Sequence, residues 1–241
     1  MHGVEEKMSD LKDRPINKLA IDSRKLWEGC ILASCVHAVM LAEYPFTLDE
    51  NQWSGGIYVM ENYEGEKAAL VFSNDEDNEL MLGMCRDFMS RRTDLVLSEE
   101  YAMSHYRGAP EEIRDMAQAL SLLFQIKDGE KYLPFVTAGF WGEGGQVFSH
   151  DDHEDWLDHG GHILETLMMP FEEAMPYYEV KCSMDTPRME IAERIYRERI
   201  QCPTKKVVLK NEEIAVLEAT GPYNIDVCQE VFGQFGVVFE E

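Results

Sequence analysis

Residues 56–86, GIYVMENYEGEKAALVFSNDEDNELMLGMCR, decide the fold class because three β-forming runs alternate with two turn sequences. The first turn, Asn62–Gly65, ends in a glycine that can adopt the positive φ of a tight hairpin. The second turn, Asn74–Asn78, contains only Asn, Asp and Glu. We therefore expect three antiparallel strands joined by hairpins, over Gly56–Glu61, Lys67–Ser73 and Glu79–Arg86.

Helical patterns lie on both sides of this region. Pro110 suits a first helical turn, and Glu111 and Glu112 suit the positive end of the helix dipole, so a helix is predicted over Pro110–Lys127. Further helices are predicted over Ser23–Ala42, Asp152–His159, Phe171–Tyr178 and Thr186–Ile200, and a strand over Lys131–Ala138. Hairpins and helices segregate along the chain. This favours the α+β class, with an antiparallel sheet built from hairpins and several packed helices.

The length of 241 residues allows one large domain or two small ones, and no linker composition marks a boundary. The patterns suggest an N-terminal extension (1–22), a main α+β domain (23–180) and a C-terminal segment (181–241) packed on that domain. In the last segment, Lys206–Lys210 and Ile214–Ala219 flank Asn211–Glu213. This arrangement predicts a hairpin after a helix.

The charge is strongly negative and unevenly distributed. There are 22 basic and 46 acidic side chains, for a formal net charge of −24. Glu43–Met81 holds ten acids and one base, Asp128–Val180 holds twelve acids and one base, and Lys181–Lys210 holds eight bases and four acids. Three explanations remain open: solubility alone, attraction of a basic protein partner by complementary potential, or binding of divalent cations.

Composition also excludes several classes of function. Excess negative charge opposes nucleic-acid binding, which needs Lys and Arg to displace counterions, and it opposes docking on anionic membranes. No apolar run reaches the roughly 18 residues of a membrane span. The six cysteines form no CxxC pair, so reduced thiols are expected. We expect a cytoplasmic protein that binds neither nucleic acid nor membrane.

Four of the seven histidines lie in one string, SHDDHEDWLDHGGH, at residues 149–162. His150, His153, His159 and His162, with Asp155, form a donor set that one divalent transition metal such as zinc, iron or manganese would accept. The spacing lacks the HExxH pattern of metalloproteases. A short helix capped by Asp151 or Asp152 and ended by Gly160 explains the same string. The alternatives are a capped helix with surface histidines, a metal site, and a pH-sensitive binding edge.

Three aromatic residues occur in glycine-containing segments. Trp53, Phe140 and Trp141 are each predicted either to anchor the core or to contact a partner. The segment at 138–145 lacks the Lys-Ser or Lys-Thr of a phosphate-binding loop. The candidate surface for a basic partner comprises these aromatics and acids of both acidic stretches, namely Asp75, Glu76, Asp77, Asp151, Asp152 and Asp155.

Three segments carry a family resemblance: WSGGIY at 53–58, TAGFW at 137–141 and WLDHGGHILET at 156–166. Together they resemble acidic bacterial cytosolic proteins of the immunity type, from toxin systems. The resemblance implies a cytosolic protein that binds another protein, and it transfers no catalytic residue.

Two hypotheses follow. The first is an acidic interaction module, of the immunity type, that binds and neutralises a basic protein partner and needs no cofactor. The second is a metal-dependent enzyme, such as a hydrolase, that uses His150, His153, His159, His162 and Asp155. No GxSxG or SxxK signature of a nucleophile occurs in the sequence.

Overall fold

The computed structural model describes residues 14–45, 51–73, 80–221 and 224–240. Its helices are α1 (Ser23–Met40), α2 (Glu99–Ser104), α3 (Glu111–Ser121), α4 (His153–Asp158), α5 (Glu165–Met168), α6 (Phe171–Lys181), α7 (Thr186–Gln201), α8 (Asn211–Thr220) and α9 (Ile225–Gln234). Its strands are β1 (Asn17–Lys18), β2 (Asn51–Ser54), β3 (Ile57–Glu61), β4 (Lys67–Phe72), β5 (Met81–Arg86), β6 (Gln125–Asp128), β7 (Lys131–Pro134), β8 (Ala138–Glu143), β9 (Gln146–Ser149), β10 (Val207–Leu209) and β11 (Val237–Phe239). The predicted α+β class with an antiparallel sheet is confirmed.

The chain divides into two compact units. The first consists of Met1–Arg24 and Glu61–Glu165, and the second of Lys25–Met60 and Thr166–Glu241. This division does not follow the predicted boundaries after residues 22 and 180, because each unit combines segments that are distant in the chain. In the described part of the chain, no helix is both long and apolar enough to cross a membrane.

Five antiparallel strands of the first unit lie in the order β1-β9-β8-β5-β4. The predicted pairing of β4 with β5 is present, from Lys67 opposite Arg86 to Phe72 opposite Met81. Its turn residues lie outside the described residues. Strand β5 also pairs with β8, which places Gly83 opposite Phe140.

Gly83 has no side chain, and this lets the Phe140 ring, which holds α4 in place, lie against the sheet. A Cβ atom there would lie 2.0 Å from the Phe140 ring, so only glycine lets this ring cover the sheet. Phe140 is fully buried and meets Trp156 of α4 edge to face, with 5.3 Å between ring centroids. Aromatic pairs of this geometry contribute about 0.5–1.5 kcal/mol beyond their buried area. The short acidic helix is thus fixed to the sheet by its own tryptophan.

The second unit contains α1, the β2–β3 hairpin and the C-terminal helices. Residues 30–39 of α1 are all buried, as the apolar pattern predicts. The predicted C-terminal hairpin is wrong. Residues Asn211–Thr220 form α8, and β10 pairs in parallel with β11, with Val207 opposite Val237. The Glu213 side chain accepts a hydrogen bond from the Lys210 N–H at 2.8 Å and so starts a helix where a turn was predicted.

Candidate functional site

The acidic helix α4 has the cap that the sequence predicts. Asp152 is its N-cap, and its side chain accepts a hydrogen bond from the Asp155 N–H at 3.0 Å. Two residues after the helix ends, Gly160 has a φ of +126°, which favours glycine. The predicted helix and its cap are confirmed, but the histidines are not surface residues, because His150 is buried and the other three are half-buried.

The structure does not gather the four histidines into one ligand set. The ring nitrogens of His150 lie 3.1 and 2.8 Å from the carbonyl oxygens of Pro15 and Arg107, so neither nitrogen is free to hold a metal. The ring of His153 stacks on Trp156 at 5.7 Å. The predicted four-histidine site is therefore not assembled.

The other two histidines face different neighbours. His159 Nδ1 lies 2.9 Å from the Ser90 hydroxyl, and burial together with Arg92 lowers the pKa of this histidine. His162 lies 3.0 Å from the Leu157 carbonyl through Nδ1 and 3.2 Å from Glu66 through Nε2. Burial opposes its charged form, but these two hydrogen bonds prevail and raise the pKa of His162.

A polar cleft of about 550 Å³ in the first unit collects five of the residues predicted from sequence. These are His150, Asp151, Asp152, Asp155 and His159. Three arginines also line the cleft, namely Arg14, Arg91 and Arg92, beside four acids, since Asp94 joins the three predicted aspartates. Its chemistry is therefore mixed in charge, although the sequence of this region is acidic.

A buried ion cluster forms the floor of the cleft. Arg92 donates from Nη2 to Asp151 at 2.5 Å, and these side chains are only 2% and 4% exposed. Arg14 adds a hydrogen bond to Asp151 at 3.2 Å and pairs with Asp94. Burial alone would raise the pKa of Asp151, but Arg92 outweighs it and the pKa is lowered. This carboxylate serves as an internal counterion and is not free for a partner.

A buried histidine lies close to this cluster. His105 is 2% exposed, and its Nε2 has no hydrogen-bond partner among the described residues. Burial, reinforced by the charge of Arg92, lowers the pKa of His105 to about 3. The ring is therefore neutral at ordinary pH.

Phe140 and Trp141 do not form a surface anchor. Their exposed fractions are 0% and 2%, so neither ring can contact a partner while the unit is folded. The core alternative is correct for both. Trp53 is half-buried in the second unit, where its indole N–H donates to the Ser34 hydroxyl at 2.8 Å. Of the predicted acids, Asp75, Glu76 and Asp77 lie outside the described residues.

Exposed carboxylates and arginines differ sharply in their pairing. Of the twelve acids in Asp128–Val180, all but Asp151 are exposed, and none of those eleven forms an ion pair with Lys or Arg in the described part of the chain. The four arginines of α7 are engaged within the second unit. Arg188 pairs with Glu43, Arg194 with Glu213 and Glu198, and Arg197 with Glu193, and Arg199 donates to the Phe235 carbonyl.

Sequence reasoning missed the basic half of the cleft and one small donor group. Arg14 and Arg92 are 137 and 59 positions from Asp151, and no local pattern joins them. The small donor group consists of Glu66, Asp87 and His162, each of which places one possible metal-binding atom within 4.8 Å of the others. Of the three, only His162 was among the metal ligands predicted from the sequence. A carboxylate directly after a buried strand, as Asp87 is after β5, is the one signal that could have indicated this group.

The comparisons supply no relative, since no protein-family profile, curated protein or solved structure matches the chain.

Proposed function

We propose that the protein is an acidic interaction module that binds and neutralises a basic protein partner in the cytoplasm. The observation that supports this most directly is the set of eleven exposed carboxylates of Asp128–Val180 that form no ion pair with a described Lys or Arg. Unpaired exposed charge generates long-range potential, and a complementary potential raises the rate at which a charged partner is met.

Pairing on α7 neutralises part of the positive charge that the sequence places in Lys181–Lys210. Arg188, Arg194 and Arg197 each pair with a carboxylate, whereas Arg199 donates to a neutral backbone carbonyl and keeps its charge. The eleven exposed acids of the stretch Asp128–Val180 have no such neutralisation among the described residues.

Free thiols support a reducing compartment. All six cysteines are free, and Cys30, Cys35, Cys85 and Cys228 are buried. Burial raises the pKa of Cys30, Cys35 and Cys85, which keeps these thiols protonated and unreactive. The resemblance to bacterial immunity proteins would make the basic partner a toxin, and this identity is part of the proposal.

The test compares two helices with the same arrangement of acids. On α4, Glu154, Asp155 and Asp158 are exposed, with two of them in the first turn. On α3, outside both acidic stretches, Glu111, Glu112 and Asp115 are exposed in the same pattern. Neutralising either triple to Gln or Asn raises the net charge equally and removes the same kind of helix-dipole contacts.

Basic proteins of the source cell are captured at low ionic strength, identified, and purified for rate measurements. We expect the α4 triple variant to reduce the association rate of the captured protein roughly tenfold, and the α3 triple variant to change it little. The rate should also fall as salt approaches about 0.15 M. Equal effects of the two variants, or recovery of no basic protein, would contradict the proposal.

A metal-dependent enzyme stays as the second candidate on one observation, the close approach of Glu66, Asp87 and His162. The residues that the sequence offered for that role, His150, His153 and His159, contribute nothing to this group.

A further inference from the structure

The geometry points to a binding site for one divalent transition metal, formed by Glu66, Asp87 and His162 in the first unit. One imidazole nitrogen and two carboxylate oxygens are a donor set that Zn²⁺, Mn²⁺ or Fe²⁺ accepts. The site differs from the histidine cluster indicated by the sequence, and it does not depend on the proposed partner.

His162 is oriented as a metal-binding histidine would be. Its Nδ1 lies 3.0 Å from the Leu157 carbonyl, which can only accept, so Nδ1 carries the hydrogen. In the neutral ring Nε2 then presents a lone pair toward Glu66 Oε1, 3.2 Å away. A lone pair facing a carboxylate needs a proton or a metal ion between them. Backbone carbonyls that fix the ring in this way are the usual outer partners of metal-bound histidines.

Asp87 supplies an independent reason for a cation. The residue is 4% exposed, and Oδ1 accepts a hydrogen bond from the Met89 N–H at 2.6 Å. In the described ranges, no Lys or Arg forms an ion pair with this carboxylate, and Oδ2 accepts no hydrogen bond. Buried carboxylates are normally paired or bound to a metal, because burying an unpaired charge is costly.

The hairpin turn before β4 positions the third ligand. Asn62 accepts hydrogen bonds from the N–H groups of Glu64 and Glu66 at 3.0 Å each, which closes the turn. The Asn62 amide also donates to Glu66 Oε2 at 2.6 Å. Glu66 Oε1 is left to face His162, so a local turn directs one carboxylate oxygen into the site.

Backbone conformation brings the histidine segment to this point. Gly160 has a φ of +126°, and a Cβ there would lie 3.0 Å from Cys85 Cβ and 3.7 Å from Asp87 Cβ. Only a residue without a side chain lets the segment after α4 approach the end of β5 this closely.

The distance between two of the three donor atoms suits direct coordination. Ligand atoms about 2.1 Å from one ion, at octahedral or tetrahedral angles, lie about 3.0–3.4 Å apart. The observed 3.2 Å between His162 Nε2 and Glu66 Oε1 falls in this interval, and the third donor lies within 4.8 Å of both. Three protein ligands leave a coordination position for water, and the His162 side chain is 40% exposed, which gives solvent access.

The test titrates the metal-free full-length chain with Zn²⁺ alone, followed by calorimetry, and with Co²⁺, followed by visible absorption. We expect one ion per chain. Glu66→Gln and His162→Gln should each raise the Kd about tenfold or more, since loss of an outer partner alone costs 10–100-fold. The matched control is His159→Gln, which changes a neighbouring half-buried histidine and should leave the Kd unchanged.

Three results would overturn the site: no saturable binding, an equal loss in His159→Gln, or an unchanged Kd in Glu66→Gln. The α4 triple variant must still bind the ion. If that variant lost the ion while His162→Gln kept it, the ion would be bound by the acidic helix and not by the proposed site. Circular dichroism checks each variant for folding. Should His162→Gln unfold, Glu66→Gln decides the matter, because Glu66 follows an exposed turn and is not a buried residue.

Discussion

The buried ion cluster beneath the cleft predicts a large and specific loss of stability in Asp151→Asn. The substitution removes the negative charge that faces Arg92 at 2.5 Å, and the Arg92 side chain is only 2% exposed. The remaining carboxylate, Asp94, lies 3.8 Å from Arg92 and already pairs with Arg14. A buried guanidinium without its counterion costs about 3–5 kcal/mol.

The neighbouring acid provides the control. Asp152→Asn changes an exposed carboxylate in the same segment, and Asn caps a helix about as well as Asp does. We therefore expect a loss below about 0.5 kcal/mol for Asp152→Asn. Urea denaturation, followed by the fluorescence of Trp141 and Trp156 in the same unit, measures both free energies of unfolding.

A double variant separates two causes of the lost stability: the loss of the attraction between Asp151 and Arg92, and the burial of Arg92 without a counterion. In Asp151→Asn with Arg92→Met, the buried positive charge is gone as well, so stability should recover by about 2 kcal/mol or more. The reasoning is refuted if Asp151→Asn loses less than about 1 kcal/mol, or if adding Arg92→Met lowers stability further.

Three further predictions concern residues near and away from the site. The pKa of His105 is about 3 in the folded state against 6.5 for a free side chain, so the unfolded chain binds more protons between these values. The contribution of His105 to the free energy of unfolding is complete above pH 6.5 and falls by up to about 1.4 kcal/mol per pH unit toward pH 3. In urea denaturations at a series of pH values, His105→Asn should therefore make the free energy of unfolding less dependent on pH in this range. Gly160→Ala should lower the free energy of unfolding by about 1–3 kcal/mol, because Gly160 has a positive φ and lies against the adjacent strand. Gly233→Ala in α9 should raise it by about 0.5–1 kcal/mol, because no atom lies within 4 Å of the added Cβ. A higher denaturation midpoint for Gly160→Ala than for Gly233→Ala would contradict this prediction. Cys202 is exposed, so a thiol reagent should titrate it first in the native protein and reach the four buried thiols only on unfolding; rapid reaction of all six would contradict their burial.

Local signals in the sequence were sufficient for several elements. Strands β4 and β5 and helix α4 depend on alternation, turn residues and one capping carboxylate, all within a few positions of one another. The C-terminal region shows the limit of such signals. Asn211–Glu213 is compatible with a turn or with a helix start, and the parallel pairing of β10 with β11 joins positions 207 and 237, which no local pattern encodes.

The candidate sites divide in the same way. The string at residues 149–162 correctly indicated a concentration of polar groups, and five of the predicted residues line the cleft. The alternative that joins its four histidines in one ligand set is not assembled in the structure, because proximity in sequence does not fix where side chains point. His150 turns to backbone carbonyls, whereas His162 turns toward Glu66, which is 96 positions away.

The sequence by itself determined the α+β class, the cap of α4 and the excess of negative charge, because these follow from composition and short-range periodicity. Only the tertiary structure decided which charges are neutralised. Asp151 and the arginines of α7 find partners that are mostly distant in the chain, whereas the exposed carboxylates of α4 find none in the described ranges. The physical reason is that the strength of a charge depends on its burial and its neighbours in space, and both are set by packing between distant segments.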